Sequence, residues 1–189
     1  MSRKWKIVIN SPVVLGFAAV CFGATLAGML TGGAATQMLF MTRHTSLLSP
    51  MTWVRFVTHI FGHSGWGHFM GNMTYILLLG PLLEEKHGSA MIVRVMLVTA
   101  LVTALLNYFL FPGTALCGAS GVVFAFIILA SFTGFSSGEI PRTFLLVAAI
   151  FIGQQVVEGV FTRDNISQLS HIAGGLVGAC MGFAFGRRR

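Results

Sequence analysis

Apolar residues in this chain fall in long, nearly unbroken runs. They show neither the alternation of a half-buried strand nor the single stripe of an amphipathic helix. Six runs approach the roughly 20 residues a helix needs to cross hydrocarbon, at 11–32, 67–84, 89–111, 117–134, 141–161 and 168–186. Turn-forming clusters divide them: Pro112-Gly113, the stretch from Ser136 to Pro141, and Thr162 to Asn165. The pattern predicts an all-α, polytopic membrane bundle of six helices. It forms a single domain over 1–189, with no polar linker long enough to divide it. The connection from Gly33 to Trp66 is longer than the others. It holds Pro50, Trp53 and mixed polarity, as expected of a segment lying in the membrane interface. The first run follows a basic start, as a signal peptide would. Its apolar stretch outlasts a signal core of about 7–15 residues and has no obvious cleavage site, so a retained helix is expected.

Composition supports the membrane assignment. Only 9% of residues are charged and 55% are hydrophobic, with a mean hydropathy of +0.83, whereas a soluble domain carries about a quarter charged residues. The net charge of +7 does not indicate nucleic acid, because the basic residues are short clusters and singletons flanking apolar runs. Six spans put both termini on one side. With that side cytoplasmic, Arg3, Lys4, Lys6, Lys86, Arg94, Arg142 and Arg187 to Arg189 lie inside, and Arg43, Arg55 and Arg163 outside. This distribution obeys the positive-inside rule. Cys21, Cys117 and Cys180 are dispersed, form no CxxC pair and read as small buried hydrophobes.

In so apolar a chain, polar residues within spans are the candidates for function. Three strings stand out: His63-Ser-Gly-Trp-Gly-His68 through Asn72, Gly118-Ala-Ser120-Gly121, and Ser170-His171-Ile-Ala-Gly174. Each lies near the start of an inward-running span, so all three converge on one depth at the outer face. Ser120 is placed near a helix N-terminus, where free N–H groups and the dipole favour an oxyanion. Gly118 and Gly121 clear space beside it for a substrate backbone. His171 is the best-placed base for its hydroxyl. Gly174, Gly175 and Gly178 share the face of His171, and Gly174-x3-Gly178 permits close approach of another helix. If that helix carries Ser120, the two meet, and Phe124 can pack against the imidazole. His68 and Asn72, four apart, share a face and can donate to an oxyanion. His63 can brace the loop or bond His68.

Taken singly, each of these residues has an ordinary structural explanation in helix packing. Their combination at one depth does not. The acids are Glu84, Glu85, Glu139, Glu158 and Asp164. Only Asp164, on the loop before the last span, is a candidate to orient His171, and a Ser–His pair without an acid is the expected arrangement. Glu84 and Glu85 read as interfacial anchors. His59, His63, His68 and His87 lack HExxH spacing, so neither metal nor cofactor is expected. A proton or metal pathway lacks the acids it needs. Asp164 is the only aspartate, which excludes an aspartyl pair.

These strings resemble the rhomboid family of intramembrane serine proteases over nearly the whole chain beyond the first run. Gly118-Ala119-Ser120-Gly121 resembles the family's GxSG motif, His63-x4-His68-x3-Asn72 its second-helix motif, and His171-x2-Gly174-x3-Gly178 its last-helix motif. Six spans resemble the basic bacterial form, which implies the cell (inner) membrane with the site open to the outer face. The resemblance implies Ser120 as nucleophile, His171 as general base and then acid, and an oxyanion hole of His68, Asn72 and the Ser120 N–H. It also implies Gly80 and Glu84 as a structural GxxxE element, and Phe161–Leu169 as a cap over the site. Implied partners are the bilayer and single-spanning protein substrates, cut after a small residue; nothing in the sequence specifies an oligomer. Two positions depart from the family: Trp53-Val54-Arg55 in place of adjacent Trp-Arg, and Phe124 where some members have Tyr. A catalytically silent, escorting member of the superfamily is the alternative, and loss of Ser120 or His171 would be its signature.

Overall fold

The computed structural model describes residues 9–131 and 165–186, with positions 142, 145, 146, 149, 150 and 153 between them. Those isolated positions of the expected span 141–161 are helical. The rest of that span, residues 132–134 of the fourth, Asp164 and the basic termini 1–8 and 187–189 lie outside the described residues. Among the described residues the continuous helices are α1 (Pro12–Leu30), α2 (Ala34–Leu39), α3 (Pro50–Thr58), α4 (Trp66–His87), α5 (Ser89–Leu110), α6 (Ser120–Ser131) and α7 (Asn165–Gly186), with a 3-10 turn at His59–Phe61 after α3. No strand occurs among the described residues; a single antiparallel bridge joins Thr42 to Leu116.

The bundle has an apolar core, with Ile76, Ile92 and Phe126 fully buried, but its exterior is apolar as well. Large apolar side chains point outward, with Leu78 63% and Leu176 61% exposed, while Thr25, Asn72, Glu84, Thr99 and Asn107 are buried. Outward leucines and inward polar groups suit a hydrocarbon solvent, in which polar groups must find partners within the protein. Two of the helices, α1 and α5, are both long and apolar enough to cross a membrane on those criteria alone; α6 is apolar but shorter. Cys21 is buried and Cys117 half-buried, but Cys180, expected inside, is exposed.

Glu84 is not an interfacial anchor. It is buried against the N-terminus of α1, where Val13 N donates to Oε1 at 3.0 Å and Val14 N to Oε2 at 2.9 Å. The Ser89 hydroxyl donates to Oε1 at 2.6 Å. Pro12 opens α1, and Ser11 makes no side-chain cap, so a carboxylate from another helix satisfies the orphan N–H groups at the positive end of the dipole. Gly80 makes the approach possible, because a Cβ there would lie 2.8 Å from both Val14 methyls. The GxxxE element thus joins α4 to α1.

The long first connection is structured. α3 starts at Pro50 and buries Phe56 edge-on against Tyr108 of α5, with ring centroids 5.4 Å apart, while Trp53 on the same helix stays exposed. Arg55 Nε donates to Met38 O at 2.8 Å, tying α3 to α2 across the Trp-Val-Arg departure. The connection in turn holds the segment before α6. Thr42 and Leu116 exchange backbone bonds of 2.9 and 3.0 Å, and Gly118 N donates to His59 O at 2.9 Å.

Candidate active site

Because residues 116–118 are committed to the first connection, α6 starts at Ser120 and not at the expected 117. Val123 N donates to Ala119 O at 2.9 Å, so Ser120 is the first helical residue. N–H groups in the first turn have no acceptor within their own helix. Gly118, just before it, has φ +130°, a conformation L side chains rarely adopt. A Cβ there would also lie 2.7 Å from Cε1 and Nε2 of His68 and 3.8 Å from Nδ2 of Asn72. Position 118 must be glycine on both counts, and the α4 pair stands directly over the approach to Ser120.

α7 lies backbone to backbone on α6. A Cβ on Gly174 would come 2.1 Å from Gly121 O, and one on Gly178 2.3 Å from Ala125 O. On the other side of α6, a Cβ on Gly121 would meet the Thr103 and Thr99 methyls of α5 at 3.2 and 3.3 Å. The glycine face expected from the last span therefore meets the helix that Ser120 begins. His171, one turn before Gly174, packs against Phe124 with the rings tilted by 39° and their centroids 4.3 Å apart. A cavity of about 410 Å³ is lined by Ser120, His171, Phe124, His68 and Asn72, together with Gly67, Gly71, Tyr75 and Cys117.

Asn72 is 7% exposed, and its Nδ2 has no hydrogen-bond partner among the described residues. An unpaired buried amide donor is costly, and the wall it belongs to faces Ser120. The Ser64 hydroxyl lies 3.1 Å from His68 Nδ1. His63 braces the loop, with Nδ1 3.2 Å from Phe61 O and 3.5 Å from the Thr25 hydroxyl. It meets His68 only edge-on, with ring centroids 5.0 Å apart. Burial, with His68 nearby, lowers the His63 pKa to about 4 against the pull of the Phe61 carbonyl. His59, fully enclosed, is likewise lowered to about 4, by burial. Its Nε2 lies 3.2 Å from the Thr103 hydroxyl.

The expected cap at Phe161–Leu169 is only partly described. Residues 165–169 are the first turns of α7, which begins three residues before the expected 168 because the helix continues upstream of the apolar run; 161–164 lie outside the described residues. A hydroxyl at a helix N-terminus, an imidazole on the adjoining helix and an unsatisfied amide are together the components of an acyl-transfer site.

The family model for the Rhomboid domain matches residues 50–188. The chain belongs to the rhomboid family. Among curated rhomboid relatives, Rhomboid-related protein 1 of Caenorhabditis elegans is 30% identical over 138 residues, covering 68% of this chain and 39% of the relative. Rhomboid-like protein 11, chloroplastic, of Arabidopsis thaliana is 25% identical over 143 residues, covering 68% and 51%. Rhomboid protease GlpG of Yersinia pestis (strain Pestoides F) is 24% identical over 178 residues, covering 91% and 62%. The chain thus spans between about two fifths and three fifths of the length of these rhomboid relatives.

Several wall residues escaped sequence reasoning. Gly67, Gly71 and Tyr75 recur every fourth position on α4 beside His68 and Asn72, a helical spacing that could have disclosed them. Cys117 carried no such signal, since it owes its place to neighbours in space; nor did Ser64, which lies outside the cavity lining but contacts His68.

Proposed function

We propose that the protein is an intramembrane serine endopeptidase acting through a Ser120–His171 pair. The observation that carries this reading is the single cavity shared by Ser120, at the start of α6, with His171, His68 and Asn72. In the proposed reaction Ser120 Oγ attacks the scissile carbonyl carbon while His171 takes its proton. The oxyanion is bound by Asn72 Nδ2, His68 and the Ser120 N–H. Collapse of the intermediate breaks the C–N bond, and His171 returns the proton to the leaving amine. Water then hydrolyses the acyl-enzyme by the same route, with His171 again as base. Phe124 holds the imidazole plane, a task a phenyl ring performs as well as a phenol ring.

The proposed setting is a six-span bundle in the cell membrane, both termini cytoplasmic. Its substrates are single-spanning proteins cut near the outer face after a small residue. The outward leucines and the distribution of basic residues support this setting. The test is cleavage of a transmembrane reporter by purified protein in liposomes. Ser120→Ala and His171→Ala should each lower turnover by about a thousandfold or more with unchanged melting temperature. A fluorophosphonate should label wild type but not Ser120→Ala. Cleavage undiminished in either variant overturns the mechanism, and absence of both cleavage and labelling in wild type returns the silent, escorting reading.

A further inference from the structure

Ser64 is one of the unspecified positions between His63 and His68, four residues before His68, and has no role in the reading above. It immediately precedes Gly65, the residue that caps α4, and His68 lies in that helix's first turn. The Ser64 backbone N–H donates to His68 Nδ1 at 3.5 Å, and the Ser64 hydroxyl lies 3.1 Å from the same nitrogen. A backbone N–H can only donate, so Nδ1 is the acceptor, and a neutral imidazole then carries its proton on Nε2. Nε2 is the nitrogen over Gly118, 2.7 Å from where a Cβ would stand, and His68 shares the cavity wall with Ser120. The contact is related to the returning half of a capping box, in which an N3 side chain reaches back to the N-cap N–H, but it goes one residue further, to Ser64 before the capping Gly65. Here an imidazole takes the place usually held by glutamate.

We propose that Ser64 is a positioning residue: it holds Nδ1 of His68 as an acceptor, so that the imidazole presents its one N–H to the cavity. This rests on the reading of His68 as an oxyanion donor. Loss of the Ser64 hydroxyl would leave only the longer 3.5 Å backbone contact on Nδ1, and the alternative tautomer, with a lone pair toward the developing negative charge, would gain population. A reversed donor repels what it is meant to bind, so the tie acts on turnover more than on substrate capture.

The experiment is a double-mutant cycle on reporter cleavage in liposomes. Ser64→Ala should lower kcat about fivefold, the factor a single net hydrogen bond is worth, with KM unchanged. Ser64→Thr, which keeps the hydroxyl, should restore it. In a His68→Ala background, Ser64→Ala should have no further effect. If His68→Ala slows turnover but Ser64→Ala does not, the tie is overturned and the donor role of His68 stands. If the Ser64→Ala loss persists undiminished in the His68→Ala background, the role is structural and the proposal fails. If His68→Ala leaves kcat unchanged, the donor reading itself falls, and the tie with it.

Discussion

Two helix seams in this molecule use glycine for the same purpose and then diverge. Between α1 and α4, Gly80 admits the Val14 methyls and Glu84 completes the joint with three hydrogen bonds to α1 and Ser89. Between α6 and α7, Gly174 and Gly178 rest on the carbonyls of Gly121 and Ala125. The first joint is chemical and holds a helix end that has no cap of its own. The second is steric, and what it secures is position: it sets His171 across from the helix that Ser120 opens. One seam governs whether the bundle holds together, the other whether its cavity is assembled, and substitutions should separate these consequences.

The largest effect on stability is expected at Glu84. Glu84→Ala leaves the Val13 and Val14 N–H groups and the Ser89 hydroxyl without their acceptor, at a cost of about 3–5 kcal/mol. Denaturation in mild detergent should reveal it, while turnover per folded molecule stays near wild type; Glu84→Gln should recover part of the loss. If turnover collapses while the melting temperature holds, the division between the seams is wrong.

Gly174→Ala comes next. Its methyl would press on Gly121 O from 2.1 Å, an overlap only a helix shift can relieve, costing about 1–3 kcal/mol. Moving α7 moves His171, so reporter cleavage should fall about tenfold or more. Gly23→Ala on α1, with nothing within 4 Å of its Cβ among the described residues, serves as the control. Equal activity in the two variants would remove the positional role of the seam.

The smallest effect concerns pH and lies in neither seam. His59 is buried in its neutral form, with a pKa lowered from 6.5 to about 4. Between those values the unfolded chain binds more protons than the folded one, so stability rises with pH and is lost as pH falls from 6.5 toward 4. Taking the protein from about pH 7 to 5.5 should cost about 1 kcal/mol from this group, and His59→Gln should reduce that slope, leaving the part that His63, lowered likewise, contributes. A slope of the opposite sign would contradict the buried neutral assignment.

Much of this was legible because membrane segments advertise themselves. α1, α4 and α5 begin within a residue of the expected positions 11, 67 and 89, since apolar length is a local property. The convergence of Ser120, His171, His68 and Asn72 was legible too, because a polar residue in a span must face inward. Phe124 followed from helical spacing. Contacts between distant parts of the chain were not legible. The start of α6 depends on bonds from Leu116 and Gly118 to Thr42 and His59. Glu84 looked like an anchor because its partners are backbone N–H groups, which leave no mark in composition. Ser64 went unread for a related reason: its partner is identified only by geometry.

The bonds from Thr42 and His59 to Leu116 and Gly118 also bear on the order of assembly. A chain made from its N-terminus produces the first connection before it produces residues 116–120, and domains commonly organise in that order. The connection has thus already been made when Ser120 emerges, and the start of α6 can be set against it. His171 is synthesised later still and closes the cavity last. On the proposed mechanism, a nascent chain that carries Ser120 but not yet α7 would have its hydroxyl in place with no imidazole beside it, and would not yet cleave.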